Sequence, residues 1–104
     1  MIYYVDIDET ICSYPEERAY EKAIPIVENI NIINALYEEG NTVVYWTARG
    51  STTGIDWRQT TEQQLITWGA KHHELRLGKP HYDLFICDKA ISTEVFFKDK
   101  GVNS

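Results

Sequence analysis

The sequence predicts an α/β fold, a parallel sheet covered on both faces by helices, three layers in all. Three observations predict it. The strand-like runs are apolar from end to end rather than alternating, which suits strands buried on both faces. Stretches of helical periodicity separate them in the order β-α-β-α-β-turn-β. Each crossover is long enough for a right-handed βαβ unit.

The elements follow in order. "MIYYVDI" at the start is rich in β-branched and aromatic residues and reads as a buried strand. "CSYPEERAYEKAIP" is polar and punctuated by Pro15 and Pro25, so it reads as a loop or flap with room for a helical turn. "IPIVENINIINALYEEG" carries Val27, Ile30, Ile33, Leu36 and Tyr37 at helical spacing, with Gly40 where a C-cap belongs. "NTVVYW" is a second strand, ended by "TARG". After the Gly/Ser/Thr loop "GSTTGID", a second helix places Trp57, Leu65 and Trp68 on one broad face and stops at Gly69. "HELRL" is a short third strand, bordered by His72 and His73, and "GKPHY" is a turn. "DLFIC" is a fourth apolar strand, with Cys87 as its last buried residue, and the tail holds one more short helix. Trp46, Trp57 and Trp68 are expected in the core or in helix packing.

A chain of 104 residues fits one domain and leaves no room for two. The formal net charge of -6 disfavours nucleic acid, because such a chain repels polyphosphate backbones. No window approaches the apolar length needed to span a bilayer, and no signal peptide is visible. Cys12 and Cys87 match neither a zinc motif nor a disulfide framework, so two reduced thiols in a cytoplasmic protein are expected.

The polar residues gather at predicted strand ends. In open parallel sheets, ligands bind at the carboxyl ends of the strands. Those ends carry Asp6, Asp8, Glu9 and Thr10, then Thr47 and Arg49, then Lys79, then Asp88. All four clusters should meet at one edge of the sheet. Clustered carboxylates with no matching His or Cys are hard oxygen ligands suited to Mg²⁺. Lys and Thr beside them can hold phosphate oxygens, and an Asp can itself be a nucleophile.

With those residues in place, "DIDET" resembles motif I of the haloacid dehalogenase superfamily, Asp-x-Asp-x-Thr. "VVYWTARG" is similar to its motif II strand ending in Thr, "GKP" to its motif III lysine, and "DLFICDKAI" to its motif IV acid. The run from "WTARG" to "DKAI" is also similar to small phosphatase-like members from bacterial surface-polysaccharide (capsular) pathways. The resemblance implies a Rossmann-like, HAD-type core and a Mg²⁺-dependent phosphatase. Asp6 would be the nucleophile and a metal ligand. Asp8 would be the general acid/base, with its backbone carbonyl on the metal. Thr47 would hydrogen-bond the transferring phosphoryl group, Lys79 would bridge Asp6 and phosphate, and Asp88 would be the motif IV ligand. Thr10 would order the motif I loop.

The chain departs from the pattern at Cys87, where motif IV often has a second acid. Arg49 either contacts substrate phosphate or sugar, or pairs with a surface Glu. His81 is near enough to Lys79 in sequence to reach a substrate, and Glu9 is expected at the mouth of the site. Neither intermotif gap can hold a cap domain, so the resemblance is to the capless class. An open site of that kind implies a covering neighbour and hence a homo-oligomer, with Tyr14, Tyr20, Phe96 and Phe97 as contact or core residues. The substrate expected is a small phosphorylated metabolite such as a sugar phosphate. The alternatives are a non-catalytic scaffold of the same fold, a phospho-acceptor switch and a polynucleotide 3′-phosphatase. The switch is opposed by Thr47 on the middle strand, where the acceptor Asp would stand.

Overall fold

The computed structural model of the chain describes residues 1–101. In chain order the elements are β1 (Ile2–Val5), β2 (Cys12–Ser13), a 3₁₀ turn (Tyr20–Lys22), β3 (Ile24–Pro25) and α1 (Val27–Glu38). They continue with β4 (Thr42–Trp46), α2 (Arg58–Thr67), β5 (Glu74–Arg76) and α3 (Thr93–Gly101). The main sheet is parallel, in the order β1-β4-β5. Its register pairs Val5 with Tyr45, and Tyr45 with Leu75.

Side-chain period decides which face is the core. In β1, Tyr3 and Val5 point inward while Ile2 and Tyr4 point out. The inward face meets Val43 and Tyr45 of the fully buried middle of β4. Ile30, Ile33 and Leu36 of α1, Leu65 of α2 and Phe97 of α3 complete one cluster. Helix α1 ends as its sequence expects. Gly40 takes φ 97, and Asn41 N–H reaches the Leu36 carbonyl at 3.2 Å. Val27 departs from that face and is exposed.

The expectation of cover on both faces is met at β4, where Val43, Val44 and Tyr45 are all buried, but not at β1. On the outer face of β1, Ile2 and Tyr4 are 69% and 51% exposed. The predicted fourth strand accounts for this. Residues 83–87 form no strand and pair with nothing in the sheet, and Ile86 is 89% exposed. Cys87 is accordingly exposed and not the buried end of a strand. β1 is therefore an edge of the sheet, and its all-apolar composition has no second strand to serve. The polar stretch after Asp8 holds more order than the sequence shows. β2 and β3 pair antiparallel, Cys12 opposite Pro25 and Ser13 opposite Ile24.

No helix among the described residues is long and apolar enough to cross a membrane.

Candidate functional site

The loop that follows β1 is built around Ile7. Its carbonyl accepts N–H bonds from Thr10 and Ile11, at 3.1 and 2.9 Å, and its side chain is buried. Glu9 makes the tight turn with φ 64, and its N–H bonds the Cys12 carbonyl at 2.9 Å. With Ile7 and Glu9 fixed, Asp6 and Asp8 both line the cleft but meet different partners. Thr10 orders the loop as expected. It is buried, its hydroxyl is 2.8 Å from that of Thr93 at the start of α3, and its carbonyl accepts from Asn29.

Asp6 turns to the cleft. Its Oδ1 accepts the Ile7 N–H at 2.9 Å, and its Oδ2 lies 3.4 Å from Lys79 Nζ. Lys79 is placed from the backbone. Its N–H bonds the Thr47 carbonyl at 3.1 Å, and its own carbonyl accepts from Ser51 Oγ at 2.7 Å. Its ammonium also sits over the rings of Trp46 and Tyr82, at 5.8 and 5.6 Å.

Asp8 turns inward to Arg49. The two oxygens of Asp8 take Arg49 Nε at 3.3 and 3.2 Å and Nη2 at 2.8 Å, a fork-on-fork pair. The remaining guanidinium donors go to Thr61 Oγ1 at 3.0 Å, Gln64 Oε1 at 2.6 Å and Tyr14 OH at 3.3 Å. All five N–H donors of an arginine are thereby used. Tyr20 lies beneath the guanidinium at 4.9 Å. Tyr14 OH in turn donates to Asp8 Oδ1, and Cys12 Sγ approaches the same oxygen at 3.5 Å.

Burial by itself would raise the Asp8 carboxyl. The Arg49 hydrogen bonds and charge, with Tyr14 and Cys12 behind them, outweigh it and hold the group below its ordinary value of 3.8. Burial, then the Asp8 charge, pushes the Cys12 thiol up to about 12. Burial and Asp8 likewise keep the Tyr14 phenol protonated. Asp8 is thus an ionised carboxylate with a fixed set of donors.

Asp6, Asp8 and Lys79 line a cleft of about 670 Å³. Arg18, Tyr20, Trp57, His81 and Tyr82 line it as well. Trp57 is thus a wall of the cleft, and Glu9, which is not among the lining residues, lies 3.9 Å from Arg18 on that lining. Three expected residues are placed otherwise. Thr47 is wholly buried, its Oγ1 accepting the Arg49 N–H at 3.1 Å, and it is not among the lining residues. Arg49 has a wholly buried side chain with every donor spent, so it meets neither a substrate nor a surface Glu. Asp88 lies in the exposed segment, its Oδ1 3.9 Å from Cys87 Sγ. Among the described residues, no group of three or more His, Cys, Asp or Glu side chains is placed to hold a metal ion. Asp6 is paired with Lys79, Asp8 with Arg49, and Asp88 stands apart, so this trio as placed does not form a donor set for Mg²⁺.

The residues that sequence reasoning missed are those around Arg49. Tyr14 was expected in a subunit contact or in the core. Thr61 and Gln64 were unremarked, although their i, i+3 spacing puts them on one face of α2 beside Leu65.

No protein-family model matches the chain, and no curated protein does. Among solved structures, the chain is similar to the crystal structure of an MCSG target from Vibrio cholerae. The two are 23% identical with a TM-score of 0.79, and the match covers 91% of this chain and 85% of that one. That likeness shows a shared α/β fold.

Proposed function

We propose that the chain is a capless phosphatase of the haloacid dehalogenase type. It hydrolyses a phosphomonoester of a small metabolite, such as a sugar phosphate of surface-polysaccharide synthesis, through an aspartyl-phosphate on Asp6. The observation that carries this reading is the Asp6–Lys79 pair, a carboxylate and an ammonium 3.4 Å apart at the ends of the sheet's strands in an aromatic-walled cleft. An ammonium there offsets the repulsion between a carboxylate nucleophile and an anionic phosphoryl group.

The steps follow from those positions. An Asp6 oxygen attacks phosphorus, and the bond from phosphorus to the leaving oxygen breaks with its electron pair on that oxygen. The leaving oxygen takes its proton from solvent in the open cleft, because the Asp8 carboxyl held by Arg49 is ionised. Water then attacks phosphorus, Asp8 takes the water's proton, and the bond to Asp6 breaks to release phosphate. The ionised Asp8 held by Arg49 is the form that the second step needs. Mg²⁺ enters this reading through the motif resemblance, and no step here is routed through it. A covering second copy of the chain belongs to the same reading.

The test is hydrolysis of p-nitrophenyl phosphate and a sugar-phosphate panel, with and without Mg²⁺. Turnover of a phosphomonoester is expected, and the Mg²⁺ arm reports whether a metal adds to it. Absence of turnover across the panel sinks the reading.

A further inference from the structure

Segment 14–22 forms one wall of the cleft, and its apolar anchorage lies at its start, where the half-buried Tyr14 packs against the core cluster. No residue from Ser13 through Asn29 is buried. Its backbone ties are the two-residue ladder of β2 with β3 and bonds within its own 3₁₀ turn. The Tyr14 hydroxyl, bonded to Asp8 and Arg49, holds the start of the segment, and polar contacts of Gln64 hold its far end. Gln64 Nε2 donates to the Tyr20 carbonyl at 2.6 Å, and Gln64 Oε1 accepts from Arg49 Nη1 at 2.6 Å. The Arg49 guanidinium sits over the Tyr20 ring at 4.9 Å, and the Trp57 ring meets that ring edge-on at 5.1 Å.

We propose that Gln64 is a positioning residue. With the buried Arg49 as its base, it latches segment 14–22 in place as the cleft wall that carries Arg18, Tyr20 and Glu21. An amide is the side chain this position requires. One end must accept from a guanidinium that can only donate, and the other must donate to a carbonyl that can only accept. Glutamate keeps the first contact and loses the second. Leucine loses both.

The effect on turnover rests on the phosphatase reading, whereas the effect on the segment does not. The experiment is therefore hydrogen exchange together with steady-state kinetics on Gln64→Glu and Gln64→Leu. Both variants should exchange the amides of residues 15–22 about tenfold faster than the wild type, with β4 amides unchanged. On p-nitrophenyl phosphate, both should raise KM several-fold with kcat within about twofold. Unchanged exchange in the segment, equal loosening of β4, or an unchanged KM in an active enzyme would overturn the proposal. If the wild type hydrolyses no phosphomonoester while Gln64→Glu still frees the segment, the functional reading fails and the latch stands.

Discussion

The Asp8 carboxylate and the Arg49 guanidinium meet at 2.8 Å with side-chain exposures of 10% and 0%. A pair so placed is costly to break, because removing one member leaves the other as an uncompensated buried charge. Asp8→Asn should therefore lose about 3–5 kcal/mol of stability at pH 7. The pH dependence follows from the folded value lying below the ordinary 3.8. The carboxylate's contribution is fully present above 3.8 and is lost as pH falls through the folded value. Urea unfolding of wild type and variant at pH 7 and in acid below 3.8 checks this. The gap should narrow in acid, and an equal gap at both would contradict it.

Gly50 has φ +81, and a Cβ there would lie 2.1 Å from the Ile55 carbonyl oxygen. The obstacle is backbone, so no rotamer relieves it. Gly50→Ala should cost at least about 2 kcal/mol and disorder the 50–55 loop. Gly54 is the control. Its φ is +77, but nothing lies within 4 Å of the added Cβ. Gly54→Ala should cost only the left-handed strain, about 1 kcal/mol. Thermal melts of the two variants decide it, and equal costs would contradict the close approach at Gly50.

The two thiols report directly on the displaced segment. Cys12 is buried and its thiol is pushed up to about 12, whereas Cys87 is exposed. A disulfide reagent at pH 8 should label Cys87 at once and Cys12 only on unfolding. Protection of Cys87 in the native protein would mean that residues 83–87 pack, as their composition suggests.

That segment marks the boundary of what the sequence makes legible. Helix α1, the strands β1 and β4 and the stop at Gly40 are readable because period and capping are local properties. Whether "DLFIC" joins the sheet depends on a distant edge, and its apolar composition alone misleads about the outcome. At the site, Asp6, Asp8 and Lys79 are readable because each ends a strand or sits in the turn beyond one. The inward turn of Asp8 is not, because nothing local marks Arg49 as buried. Arginine is mostly a surface residue, and its burial here rests on the Asp8 carboxylate together with Tyr14, Thr61 and Gln64, partners brought together from distant parts of the chain.

The central claim, that Asp6 is the nucleophile, is tested most directly by comparing phosphomonoester turnover of the wild type with Asp6→Asn. The side chain is 41% exposed, so the substitution should leave the melting temperature nearly unchanged. The account predicts wild-type turnover and a loss of at least about a thousandfold in the variant. Full activity in a folded Asp6→Asn protein would contradict it.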